Sequence, residues 1–160
     1  MNMYREVRDR LGLTRDQASE LLETIEPGKL ERIESEKQLP SPDDVMIMAD
    51  KYSEPNIRNY YCANQCPMGQ HYVPRIKFID LEKTVLKLVA SLNAMHDKQD
   101  KLIEIAEDGA ITDDELLDFI SIQKNLEKVS LAVDALELWT EKMMSSGIID
   151  MDKYKELLNR

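Results

Sequence analysis

Apolar positions in the first third of the chain recur at helical spacing, and polar starts and stops divide them into short helices. Residues 4–11 form the first, ended by Gly12 as a C-terminal cap. Thr14 with Gln17 three residues on makes a capping box and opens a second helix to about Leu22. A short turn through residues 23–26 leads to Pro27, a good first helical residue, and to a third helix over residues 27–35. Its Leu30 and Ile33 face inward. Ser41 caps a fourth helix to about Tyr52, with Pro42 at its first position. Ser53-Glu54-Pro55 repeats that start signal for a fifth helix to about Ala63.

The periodicity stops over residues 66–74, CPMGQHYVP, where Pro67, Gly69 and Pro74 mark a connector. Two long helices follow. Leu81, Val85, Leu88, Leu92, Met95, Gln99, Leu102 and Ala106 alternate spacings of four and three, a heptad seam with one polar break at Gln99. Phe119, Ile122, Leu126, Val129, Val133, Leu136, Thr140 and Met143 repeat it. A short loop at residues 108–111 makes the two antiparallel neighbours, Thr112 and Glu115 form a capping box, and Gly147 ends the second helix before a short one over residues 150–158. The expected architecture is all-α: a five-helix domain over residues 1–66, a connector over 67–75, and a helical hairpin with a short terminal helix over 76–160. Ile120, Leu131 and Trp139 lie beside the seam and widen its apolar face, so the hairpin is expected to pack on further helices, with a four-helix dimer interface as one solution.

Composition agrees with helix and narrows the compartment. Helix-favouring Leu, Glu, Lys, Met and Ala are well represented among the 160 residues, and aromatics make up 6%. No apolar run reaches the roughly 20 residues needed to cross a bilayer, the first ten residues are charged throughout, and two cysteines are no disulfide scaffold, so a cytoplasmic, membrane-free protein is expected. Net charge is −10, which opposes non-specific attraction to nucleic acid. Residues 1–60 carry 9 Lys and Arg against 13 Asp and Glu, so any DNA contact must rest on a local surface.

Leu11-Gly12-Leu13-Thr14, Arg15-Asp16-Gln17, Leu21-Leu22, Arg32-Ile33-Glu34, Lys37 and Pro40 follow one another in an order that resembles the xenobiotic-response-element, or lambda-repressor-like, helix-turn-helix family. Tyr60-Tyr61-Cys62 and Cys66-Pro67-Met68-Gly69, followed by the hairpin, resemble a subgroup of that family. The resemblance implies a DNA-binding transcription regulator whose third helix enters the major groove, dimeric through its C-terminal helices. Carried over by position, it implies DNA contacts from Arg15, Lys29, Arg32 and Lys37, with Arg10 as a further cation. The sequence departs from the family where Glu23 stands in place of a turn glycine, where Pro27 and Gly28 stand in place of base-reading side chains, and in one extra residue between the helices. The alternative is a protein–protein interaction module that keeps the fold without DNA binding; an acidic outer face on the third helix favours it.

Other constellations have plain readings beside functional ones. Lys29 and Arg32 either meet DNA or pair with Glu26, Glu31 and Glu36. Cys62 and Cys66, four apart, could bind metal with His71, with His96 more distant, could act as a redox pair, or could simply pack the fifth helix. Residues 108–115 match the second half of an EF-hand loop, but Ala106 falls on a ligand position and cannot ligate, so a tight turn is expected. No Gly-rich phosphate loop, catalytic triad or helical histidine pair occurs, so neither enzyme activity nor a cofactor is expected.

Overall fold

The computed structural model describes residues 2–107 and 109–158. It is all-α: the described residues form ten helices and no strand. Among them no helix is long and apolar enough to cross a membrane. The chain makes two compact units, one of Met1–Ile76 with Thr140–Arg160 and one of Lys77–Trp139. The C-terminal segment from Thr140 thus groups with the first unit, whereas the sequence pattern assigns it to the hairpin.

In the first unit α1 is Met3–Arg10, α2 Arg15–Leu22, α3 Pro27–Glu34, α4 Pro42–Lys51 and α5 Asn56–Asn64. The starts follow local chemistry. Asn2 caps α1 through its side chain, Thr14 and Gln17 close a capping box on α2, and Ser41 does the same on α4 with Asp44. Pro27 and Pro42 stand in the first turns of α3 and α4, where the missing N–H costs nothing. One core joins the five helices: Tyr4 and Val7 from α1, Ala18 and Leu22 from α2, Leu30 and Ile33 from α3, Val45, Met48 and Ala49 from α4, and Ile57 from α5, with Ile25 and Tyr52 between helices.

The helix ends are less conventional. α1, α3 and α4 stop alike, with one left-handed residue: Gly12 at φ 70°, Glu36 at 61° and Ser53 at 51°. In each the following amide reaches back five residues, Leu13 to Arg8, Lys37 to Arg32 and Glu54 to Ala49. Only Gly12 takes this conformation without a side-chain penalty. Ser53 therefore ends α4, and it does not cap α5 as its sequence context suggests; Pro55 occupies the α5 cap position. After α2, Glu23 has φ 63° and ψ −41°, and the Thr24 amide donates to the Leu22 carbonyl at 2.7 Å, a strained γ-turn.

The connector is not featureless. Residues Gly69–Tyr72 form a helical turn, α6, packed on α5. The end of α9, which spans Leu116–Ser145, is tied to the α4–α5 junction. Lys142 Nζ donates to the Ser53 carbonyl at 2.8 Å and to the buried Glu54 carboxylate at 2.9 Å, and Arg58 pairs with Glu141 at 2.6 Å. The last helix, α10, is Met151–Leu158, with no buried residue.

In the second unit the expected single first helix is two: α7, Leu81–His96, and α8, Gln99–Ala106. The break falls at Asp97–Lys98, inside a run of polar residues from His96 to Lys101 with no apolar side chain to hold the helix down. Lys98 Nζ leaves the helix line to donate to Ser121 Oγ at 2.6 Å, and Lys101 approaches Asp118 at 4.0 Å. A step of three along α8 is a step of three backward along α9, so these helices run antiparallel as expected. The Thr112 amide and hydroxyl both donate to Glu115, although regular helix begins only at Leu116. Asp108, on which the EF-hand comparison and the predicted turn rest, lies outside the described residues.

Candidate nucleic-acid interface

The four candidate cations Arg15, Lys29, Arg32 and Lys37 lie around α2 and α3, and the structure gives them different employments. Glu34 decides the first. Its side chain is completely buried at the end of α3, facing inward and not among the outer carboxylates around Lys29 and Arg32. Arg8 grips it with Nε and, at 3.0 Å, with Nη2, while Nη1 donates to the Leu13 carbonyl at 2.7 Å. Arg15 Nε takes the second oxygen at 2.9 Å. One buried carboxylate thus pins α1 and the start of α2 to the end of α3. The hydrogen bonds that Arg8 donates to Glu34 hold its guanidinium above its ordinary pKa, and burial opposes this less strongly. Arg15 commits only Nε, and 42% of its side chain stays in solvent.

Lys29 is also a structural cation. Its Nζ meets Asp44 Oδ1 at 2.7 Å, and Asp44 is the buried carboxylate that closes the α4 capping box. Burial alone raises the Asp44 carboxyl, but Lys29 and Ser41 outweigh it and hold it below the ordinary aspartate value. The contribution of this cap to stability is therefore present above the unfolded aspartate pKa and is lost as pH falls through the depressed folded one.

Arg32 and Lys37 differ. Both are exposed. Arg32 Nε donates to Gln38 Oε1 at 2.9 Å, and Nη1 lies 3.7 Å from where a Cβ on Gly28 would stand. The guanidinium therefore covers the first turn of α3, over a residue with no side chain. Gln38 and Gly28 carry no charge and no family signal, so nothing in the sequence alone marks them as its partners. Arg10, the further candidate, pairs with Glu54 on the α4–α5 side.

α3 buries Leu30, Ile33 and Glu34 and leaves Glu26, Pro27, Gly28, Glu31, Arg32, Ser35 and Glu36 exposed. Three exposed glutamates thus stand with Arg32 and Lys37 on this surface.

The thiols lie elsewhere, at the α5–α6 junction. Cys62 and Cys66 are half-buried free cysteines, and His71 is exposed in α6. Among the described residues no group of three or more His, Cys, Asp or Glu is placed to hold a metal ion, so the structure does not gather Cys62, Cys66 and His71 into one three-ligand set. His96 ends α7, in the second unit.

Comparison of the chain with protein-family models, curated proteins and solved structures finds no match.

Proposed function

We propose that this chain is a DNA-binding transcription regulator in which α2 and α3 act as a helix-turn-helix pair and the C-terminal helices join two copies. The observation that carries the reading is the pose of α3. It is held from behind by the core and by the Arg8–Glu34–Arg15 lock, while its outer face is open and its first turn is covered by the Arg32 guanidinium. A helix presented in this way fits the major groove, with Arg15, Arg32 and Lys37 on the flanking phosphates. Apolar side chains of the second unit that stand in solvent, such as Leu86, Val89 and Leu92 in α7, support the dimeric part of the reading.

A second reading has its own observation. Lys29 is committed to Asp44, so exposed Glu26, Glu31 and Glu36 outnumber exposed Arg32 and Lys37 around α3. That balance suits a basic protein partner and opposes DNA.

Fluorescence anisotropy with a duplex from upstream of the protein's own gene, against a scrambled duplex and at several salt concentrations, separates the two. Three phosphate contacts per copy give a log–log salt slope of about −3 for one copy and about −5 for two. Sequence-selective binding with such a slope supports the regulator; no binding at low salt supports the protein-interaction module.

A further inference from the structure

The α5–α6 junction carries chemistry that the helix-turn-helix reading does not use. The amides of Gln65 and Cys66 both donate to the Tyr61 carbonyl, at 2.8 and 3.0 Å. The turn thus stays wound past the end of α5, and Cys66 stays one turn on from Cys62. The chain then doubles back so closely that a Cβ on Gly69 would collide with the Cys62 carbonyl and stand 2.9 Å from Cys62 Cα. Gly69 is buried, and its amide donates to Cys66 Sγ at 3.5 Å. Both cysteines therefore border one buried glycine, one through its backbone and the other through its sulfur.

We propose that Cys62 and Cys66 form a two-thiolate site for a soft monovalent metal ion of the Cu(I) type. The donor set selects the ion. Structural zinc needs four ligands and calcium six to eight oxygens, whereas thiolates suit soft Cu(I). The two sulfurs of Cys62 and Cys66 make a two-coordinate donor set. Spacing favours an ion over a direct bond: side chains one helical turn apart have Cβ atoms about 5–6 Å apart, and a disulfide needs about 3.5–4.5 Å. Binding replaces two S–H bonds with two metal–sulfur bonds and releases two protons, with no change of oxidation state.

The site touches the core of the first unit. Gln65, between the two cysteines, accepts a hydrogen bond from the hydroxyl of fully buried Tyr4 in α1 at 2.7 Å. An ion drawing the two sulfurs together acts directly on this α5–α1 contact.

The test uses the full chain, reduced and loaded anaerobically with one equivalent of Cu(I), then desalted into millimolar glutathione, which competes as a monothiol. The expected result is one copper retained per chain, both thiols protected together from a thiol reagent, and loss of the retained copper in Cys62→Ser and in Cys66→Ser. Stripping of the wild-type protein by glutathione would overturn the proposal, as would a single-serine variant that retains copper as the wild type does. The joint protection of both thiols is read on the wild-type chain, so the proposal stays testable even if a variant folds poorly.

Discussion

The two compact units solve the same problem unequally. In Met1–Ile76 with Thr140–Arg160, five helices close over a core of twelve buried apolar residues, and buried charges such as Glu34, Asp44 and Glu54 each have a partner. Among the described residues of Lys77–Trp139 only Ile105, Ile122, Ala132 and Leu138 are buried apolar residues, while α7 exposes Val85, Leu86, Val89 and Leu92. The difference teaches that a helical repeat is not yet a core. The first unit closes a core on its own contacts, and the second exposes apolar side chains along α7 that a second copy would cover under the proposed reading.

Removing the Glu34 carboxylate sets the upper end of the expected effects. Glu34→Ala strands the buried Arg8 guanidinium and releases Arg15, and is expected to cost about 3–5 kcal/mol in urea unfolding. A loss under about 1 kcal/mol would mean that the lock is not what joins α1, α2 and α3.

A matched leucine pair tests the comparison itself. Leu30→Ala in the first unit is expected to cost about 2–5 kcal/mol, because it empties a fully buried position. Leu86→Ala, at 69% exposure, is expected to cost about 0.5 kcal/mol or less at low protein concentration. Its cost should grow with concentration if the hairpin dimerises, since association adds to stability by mass action. Equal costs at every concentration would erase the contrast between the units.

Much of the first unit was legible because its signals are local. Thr14, Gln17, Pro27, Ser41 and Pro42 announce helix starts through contacts within three residues, and Gly12 announces an end. Glu23, Glu36 and Ser53 take left-handed backbone with side chains that do not advertise it, so the turn at 23–26 and the helix ends near 35 and 52 were legible in position but not in conformation. The ion pairs were hidden by distance. Arg8 meets Glu34 across 26 residues and Lys29 meets Asp44 across 15, so the sequence could supply Lys29 as a candidate cation but not its structural duty. The heptad seam misled in a different way: Leu126 and Val133 continue its spacing yet stay exposed, while Asn125 and Ala132 are buried, because period alone does not fix which face meets the neighbour. At the break between α7 and α8 no proline or glycine gives warning.

The strained turn after α2 offers a smaller effect with the opposite sign. Glu23→Gly relieves a left-handed residue and gives up only an exposed ion pair with Lys51. Differential scanning calorimetry is expected to show Tm raised by about 2–4 °C. A fall in Tm would show that the Lys51 contact outweighs the backbone.

Tyr52 gives the smallest effect at neutral pH. Its hydroxyl is buried and has no hydrogen-bond partner, and burial pushes its pKa from 10.0 up to about 12. A raised folded pKa means stability that is full below the unfolded value and lost as pH rises through the folded one, here between pH 10.0 and about 12. Tyr52→Phe removes an unsatisfied group and is expected to be neutral or stabilising at pH 7, and to lessen alkaline unfolding in that window. Tyr4, also raised by burial, keeps part of the alkaline loss in place. Destabilisation at pH 7, or an unchanged alkaline limb, would contradict the assignment.

The most direct test of the regulator reading separates the two kinds of cation on one surface. Anisotropy titrations of the wild-type chain, Arg32→Ala with Lys37→Ala, and Lys29→Ala should be run with the same upstream duplex at low and moderate salt. The account expects salt-sensitive binding that weakens about tenfold or more in the double variant, with a shallower salt slope. It expects Lys29→Ala, once its fold is verified by circular dichroism, to bind as the wild type does, because Asp44 already holds that side chain. Absence of binding by the wild type, or a loss in Lys29→Ala as large as in the double variant, would contradict the account.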